Sequence, residues 1–411
     1  MNEIKNLQAN KMASQTTEEE VAIKACTQYK SKNVEKSIEE CVGLIGGFKK
    51  YIGDAKNILL KPNLLSPSRP ELAVTTHPVF VEAMTRLVKR NARPDAVITI
   101  ADSPGIATLH TEKDLIRLYN QCGYPGFADI ENVKLNLDER HFPVSFKQGK
   151  LLKKFEVIKP AIDADIIINL PKFKTHSLTK ITGAVKNMFG IIYGREKTLL
   201  HTKFMDIGKF CDMLLDIYQF KIPVLNIMDG ITGLEGEGPG ASGKPRNAGI
   251  ILASSSAIAL DNVMASIMGF NSEDIPIILS AKKRNITGWD SNYIKILGGQ
   301  IKDFIIDDYK LPRNSAVGKI SSNRFINAFI LPFVRNNLSV SPYQNQEKCT
   351  MCRICIEICP EKAIKSRDSV LVFDYKECIR CYCCSEMCPE GAIDLNYSWF
   401  GNLIFREKKI K

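Results

Sequence analysis

Lys348–Ile364 reads KCTMCRICIEICPEKAI, and Glu377–Ile393, 29 residues further on, reads ECIRCYCCSEMCPEGAI. Each segment holds C-x2-C-x2-C-x3-C-P followed by Glu, one variable residue, Ala and Ile. The two form an internal repeat, and the spacing is an iron–sulfur run. A [4Fe–4S] cube needs four thiolates arranged around it. Three cysteines at two-residue gaps wrap a short loop around three corners; the fourth, set before a proline, points away and serves the other cube. The pattern predicts one cluster on Cys349, Cys352, Cys355 and Cys388, and a second on Cys378, Cys381, Cys384 and Cys359. Pro360 and Pro389 fix the chain direction after the crossing ligands. Ile354, Ile356, Ile379 and Ile393 supply apolar cover that limits water access and so influences potential. Zinc knuckles also take four cysteines, but as two separated C-x2-C pairs without a third cysteine and a following C-P. Cys383 is an extra cysteine between Cys381 and Cys384, read as a free thiol near the second cluster, with ligand exchange as the alternative.

Over about residues 344–397 this stretch resembles the bacterial two-cluster ferredoxins, which implies a small α+β ferredoxin-like domain. The chain has thirteen cysteines in all. Eight fall in the two groups just described, in a chain whose N-terminus carries no apolar leader, so metal ligation is favoured over disulfides. Met1–Glu20 is polar and reads as a disordered tail. The longest uncharged run, about Asn247–Leu260, is too short to span a bilayer, so the expected location is cytoplasmic, with no membrane span.

The formal charge of +11 is uneven. From Ser341 onward 11 Lys/Arg face 10 Asp/Glu, and before it 45 face 35. The basic excess thus belongs to the larger N-terminal part, where it suits an anionic substrate, an acidic partner or nucleic acid. Two clusters, each about −2 with its four thiolates when oxidised, would make the C-terminal module acidic and give that basic part a complement within the chain.

The length predicts two or three domains. Ala96–Ala101 (AVITIA), Asp165–Leu170 (DIIINL), Pro223–Met228 (PVLNIM) and Gly249–Ala253 (GIILA) read as buried strands. Ser256–Met268 reads as a helix, and a second helix is expected to be capped by Thr75 or Thr76 with Pro78 in its first turn. Apolar strands alternating with helices predict an α/β domain, a mixed or parallel sheet covered by helices, over residues 21–313. Residues 314–343 read as a linker containing the apolar patch Phe325–Val334, whose expected role is packing between the domains, with membrane-surface contact as the alternative. A ferredoxin domain at 344–397 and a tail at 398–411 complete the expected organisation.

Within the larger domain, Asn169–Gly194 (NLPKFKTHSLTKITGAVKNMFGIIYG) concentrates charge. Lys172, Lys174, His176, Lys180 and Lys186 follow a predicted strand, where α/β folds commonly place ligands, and Gly183 and Gly190 flank Asn187. Lysines and a histidine at such a loop can hold a phosphate or carboxylate. Gly233–Gly243 (GLEGEGPGASG) has five glycines, which let a backbone approach a ligand closely or simply form a surface turn. It is neither a P-loop nor a Rossmann fingerprint. Asp229, Glu235 and Glu237, with Asp261 beyond the next strand, could bind a cation or act as acid/base groups. The candidate substrate- or anion-binding set is therefore Lys172, Lys174, His176, Lys186, Asn187, Asp229, Glu235 and Asp261.

Lys61-Pro62-Asn63, Asp102-Ser103-Pro104-Gly105, Lys172–His176, Gly183–Gly190, Asp229–Gly240 and Ala259-Leu260-Asp261, taken in order, resemble the DUF362 family over roughly residues 21–300. The resemblance implies an iron–sulfur-associated domain without assigned chemistry, fused here to a two-cluster ferredoxin. It supplies no catalytic residues. Ser255-Ser256-Ala257-Ile258 departs from the Asp-Pro-Val type sequence of relatives. Three functions are weighed. The chain could be an oxidoreductase relaying electrons through its clusters to or from a small anionic substrate or redox partner. It could instead be a ferredoxin carrier whose large domain only docks acidic partner proteins. Nucleic-acid binding ranks a distant third, since no helix-turn-helix, RNA-binding or zinc-finger signature occurs. No flavin or nicotinamide motif appears, so electrons are expected from another protein.

Overall fold

A computed structural model describes residues 18–105, 111–126, 130–312 and 340–397. The Phe325–Val334 patch, most of the expected linker and the tail from 398 lie outside these residues.

The strands of the larger domain are β1 (Glu19–Ala25), β2 (Asn57–Pro62), β3 (Val97–Ile100), β4 (Val133–Leu135), β5 (His141–Ser145), β6 (Lys154–Ile158), β7 (Ile166–Leu170), β8 (Lys172–His176), β9 (Lys180–Ile181), β10 (Leu225–Gly236), β11 (Gly243–Ser254) and β12 (Ile294–Leu297). All but the β5–β6 hairpin join one mixed sheet with the path β12-β1-β11-β10-β7-β2-β3-β4 and with β8 paired to β10 and β9. The four β-branched runs picked out above become β3, β7, β10 and β11, though β10 and β11 extend into a long hairpin that reaches the glycine-rich loop. β1 starts at Glu19, inside the stretch read as a tail.

Alternation along β2 and β7 divides the core. Ile58, Leu60, Ile166 and Ile168 pack on one face against the helices α1 (Ser31–Leu44) and α2 (Pro78–Asn91). Leu59 and Ile167 face the other side, covered by α3 (Gly183–Asn187), α4 (Gly194–Lys203), α5 (Ile207–Phe220), α6 (Ala257–Ile267) and α7 (Pro276–Lys283). Two buried layers of helix on a mostly parallel centre are what continuous apolar strands require. The helix read from Ser256 is α6, and Ser256 caps it by accepting from the Ala259 N–H. The cap of α2 is His77, whose Nδ1 accepts from the Val79 N–H. Thr76 is diverted: its hydroxyl accepts from the Asn63 N–H and donates to the Leu170 carbonyl, tying β2 to β7.

β2, β3, β4 and β7 run parallel. The chain builds outward from β2 to β4 and then returns to β7 on the other side of β2. Strand order thus reverses between β2 and β7, and loops leaving their carboxyl ends diverge to open a crevice.

The C-terminal module pairs β13 (Val340–Gln344) with β16 (Ile393–Tyr397) and β14 (Ile364–Arg367) with β15 (Val370–Phe373), around the one-turn helices α8 (Ile354–Glu357) and α9 (Cys383–Glu386). β13 lies within the stretch read as linker. No helix among the described residues is long and apolar enough to cross a membrane.

Candidate functional site at the domain junction

The repeat seen in sequence is repeated in three dimensions. Met351 and Arg353, then Arg380 and Tyr382 at the same offset, take left-handed backbone angles that turn each loop around its cysteines. The Ala363 N–H donates to Cys359 Sγ at 3.2 Å, and the Ala392 N–H to Cys388 Sγ at 3.1 Å. One cavity is lined by Cys349, Cys352, Cys355 and Cys388. Another is lined by Cys359, Cys378, Cys381 and Cys384, with Cys383 beside them. Two four-thiol pockets with backbone N–H groups directed at sulfur fit [4Fe–4S] cubes in both number and chemistry of donors.

A third cavity, of about 60 Å³, lies where the crevice between β2 and β7 meets α9. Its lining includes Lys174, Lys186, Lys197, His201, Glu386 and Cys383. Cys383 therefore borders both this cavity and the second cysteine pocket. At the measure in which one water needs roughly 15 Å³, the space admits about four waters or one small anion.

Each cation reaches the cavity for a local reason. Lys174 projects from β8 and donates to Asn63 Oδ1 at 2.8 Å, the Val74 carbonyl at 2.8 Å and the Pro239 carbonyl at 3.3 Å. Its partners are neutral, so burial and then neighbouring Lys186 push its ammonium well below the usual lysine range. Lys197, on α4, donates to the Ser103 and Pro104 carbonyls, and burial lowers it to about 7. Lys186 sits on α3, where burial again lowers its ammonium against the pull of Glu386 and Cys383. Burial brings the His201 imidazole down to about 4.

Two carboxylates enter the lining. Asp102 holds the fully buried Lys61 at 2.7 Å and accepts the Leu64 N–H at 2.7 Å. Glu386 Oε1, on α9, lies 3.1 Å from His176 Nε2 but out of hydrogen-bond alignment. Burial opposes its ionisation, yet His176 and Lys186 hold its carboxyl below the usual range. His176 Nδ1 accepts the Leu178 N–H at 3.0 Å, so its other nitrogen carries the proton facing Glu386. Behind the cavity a buried chain of amides runs from Asn63 to Asn187 at 2.9 Å, on to Asn169 at 2.7 Å and to Asn226 at 2.9 Å. Such a satisfied network fixes the side chains it contains.

The candidate set read from sequence splits here. Lys174, Lys186 and Asn187 line the cavity, and His176 contacts it through Glu386. Lys172 and Asp229 lie elsewhere, paired with each other at 2.7 Å and joined by the Tyr29 hydroxyl. Glu235 accepts the Lys310 N–H at 3.0 Å, next to the turn that closes the β10–β11 hairpin. Asp261 caps α3 by accepting the Ala184 and Val185 N–H groups. In each of these four the carboxylate or ammonium is already engaged by a partner away from the cavity lining. Lys61, Asn63, Asp102, Lys197, His201 and Glu386 join the site without having been read as site residues. Lys61-Pro62-Asn63 and Asp102-Ser103 had been noticed as motifs, and the strand ends they follow were the available signal.

The glycine-rich loop does bring a backbone close, and what approaches is the module itself. A Cβ at Gly240 would lie 2.2 Å from the Glu386 carbonyl oxygen. Ser242 Oγ lies 3.2 Å from Ser385 Oγ, and Leu65 packs with Met387, Ile358 and Cys383.

Residues 58–266 match the family described as a domain of unknown function (DUF362). Residues 342–365 and 371–394 match the 4Fe-4S binding domain. A thylakoid-associated protein of Synechocystis sp. is 28% identical over 301 residues, covering 71% of this chain and 87% of that protein. The lactate racemase apoprotein of Thermoanaerobacterium thermosaccharolyticum aligns with a TM-score of 0.40 at 13% identity, over 62% of this chain. That alignment spans 58% of the racemase chain, less than two thirds of its length.

Proposed function

The chain belongs to the DUF362 family and carries two [4Fe–4S] clusters in a ferredoxin domain, and from that premise we propose that it is an oxidoreductase passing electrons between those clusters and a small anionic substrate at the domain junction. Cys349, Cys352, Cys355 and Cys388 hold the first cluster; Cys378, Cys381, Cys384 and Cys359 hold the second. When bound, the clusters supply one-electron chemistry. Lys186 binds the anionic group, Lys174 lies behind it with its donors already engaged, Asn63 and Asn187 orient it, and Phe189 and Met387 keep water from it. Lys197, lowered to about 7, is poised to exchange a proton near neutrality.

One observation carries this reading: Cys383 borders both the second cysteine pocket and the cation-lined cavity, so a bound anion would lie against the electron-transfer module. The test is made on anaerobically purified protein with iron and sulfide quantified, where about eight irons per chain are expected. Reduced protein, freed of excess reductant, is mixed with a panel of small carboxylates and oxyanions while cluster absorbance is followed. Reoxidation by at least one of them, slowed tenfold or more in Lys186→Gln, is the expected result. Clusters that stay reduced with every anion, yet discharge to an acidic partner protein in a salt-sensitive way, would make the chain a carrier instead.

A further inference from the structure

We propose that the junction cavity is a redox-linked anion site, in which a small anion and an electron on the second cluster weaken one another's binding through Lys186. The inference rests on the oxidoreductase reading of the same cavity and adds its regulation.

Of the polar groups that line the cavity and make no hydrogen bond among the described residues, Glu386 Oε1 faces His176 Nε2 at 3.1 Å, whereas Lys186 and Thr182 have nothing facing them. Lys186 makes no hydrogen bond or ion pair among the described residues. Thr182 Oγ1, in a residue only 5% exposed, is also without a hydrogen-bond partner and lines the same space. Both can donate, so the missing ligand accepts hydrogen bonds. Its charge follows from the neighbours. Lys174 and Lys197 donate only to neutral oxygens, Asp102 is matched by Lys61, and Glu386 is turned to His176. Buried ammonium groups without carboxylates are costly, and an anion offsets that cost. The available volume limits the anion to a small carboxylate or a single tetrahedral oxyanion.

The coupling follows from shared lining. Cys383 and Glu386 belong to α9, the helix that carries the second cluster's ligand Cys384, and border the cavity. The first cysteine pocket shares no lining residue with the cavity. One electron entering the second cluster adds one negative charge beside Lys186 in a low-dielectric junction, and no bond forms or breaks. The electron comes from a low-potential one-electron donor protein, for which dithionite stands in. The anion is then bound less tightly and leaves to solvent. By linkage the same anion must lower the cluster's midpoint potential by the same factor: tenfold tighter binding to the oxidised state is a shift of about 59 mV for one electron.

A potentiometric EPR titration of the intact holoprotein tests this, with acetate or inorganic phosphate added at high millimolar concentration and chloride as the matched-ionic-strength control. The expected result is that one midpoint falls by an amount equivalent to at least a tenfold affinity ratio while the other stays. The shift is expected to vanish in Lys186→Gln and to shrink in Thr182→Val, both checked for full iron content. A variant that fails to load iron is replaced by direct calorimetric binding of the same anions to oxidised and reduced wild-type protein, where tighter binding to the oxidised form is required. No shift with either anion, equal shifts of both midpoints, or an undiminished shift in iron-replete Lys186→Gln overturns the proposal. Linked potentials without substrate turnover would sink the oxidoreductase reading alone, and turnover without linkage would sink this inference alone.

Discussion

Lys172 and Lys174 stand two residues apart on β8 and are both fully buried, yet only Lys172 has a carboxylate partner. That difference separates a charge matched within the fold from one that borders the cavity without a counter-charge. Removing one member of a buried pair strands the other, at about 3–5 kcal/mol. Asp229→Asn is therefore expected to lower stability to denaturant by that order, and the double variant Lys172→Met, Asp229→Leu to cost less than Asp229→Asn. Urea unfolding of the three proteins measures this, and a double variant worse than the single one would show that the pair is not the source. His77 makes a pH-dependent case. Its ring stacks on Tyr29 with centroids 3.5 Å apart, and burial lowers its imidazole to about 4. Unfolding restores a pKa near 6.5, so the unfolded chain binds the extra proton. The stability that neutral His77 contributes is complete above about 6.5 and is lost as pH falls toward 4. His77→Asn keeps a cap for α2 but removes this titration. Its melting temperature is expected to fall less than the wild-type value between pH 7 and pH 5; parallel decline of the two would refute the assignment.

α3 shows how an element of five residues can be held to a single pose. Its first residue, Gly183, has φ +60°, and a Cβ there would lie 2.3 Å from Asp261 Oδ1. Asp261 in turn satisfies two N–H groups at the start of the helix whose far end carries Lys186 and Asn187. Burial raises its carboxyl to about 7, opposed by those two bonds. Asp261→Asn keeps one acceptor oxygen and loses the other, so about 1–3 kcal/mol of stability is expected to go. Weaker anion binding should accompany it, because Lys186 moves with the helix. Calorimetry with phosphate checks this, and unaltered affinity would show that α3 keeps its pose without the cap. Much of the fold was legible in such local terms: β3, β7, β10 and β11 announced themselves by β-branched runs, and α6 was read as a helix from Ser256 onward. β8 did not, because KFKTH alternates charge with apolar residues and yet is buried throughout. The site was half legible for the same reason. Lys174, Lys186 and Asn187 follow one strand in sequence, whereas Asn63 and Asp102 meet them only through the strand reversal at β2 and β7, and Glu386 only where the module packs on the large domain. No local pattern records that reversal.

At the scale of the molecule, the two domains differ in what stabilises them. The larger one owns two extensive apolar layers on either side of its sheet. In the module, three of the seven residues of the main buried cluster are cysteines, so iron–sulfur ligation must supply most of the cohesion that apolar contact cannot. The junction leans on the module in turn: Gly240 sits against the Glu386 backbone, Leu178 packs by Tyr382, and His176 faces Glu386. Anaerobic removal of iron with a chelator is therefore expected to release the module while the sheet persists. Hydrogen exchange read along the chain provides the measurement. Amides of 340–397 should lose protection first, those of Thr175–Leu178 and Gly240–Ser242 should follow as the contact surface opens, and β2, β7 and α5 should stay protected. The cavity loses Glu386 and gains water at the same step, so Lys174 and Lys186 become hydrated and anion affinity falls even though the chelator touches neither. Loss of protection across both domains at once would mean that the large domain depends on the clusters for its fold. The junction would then be part of one cooperative unit, and its cavity could not be treated as a site that opens and closes on a standing scaffold.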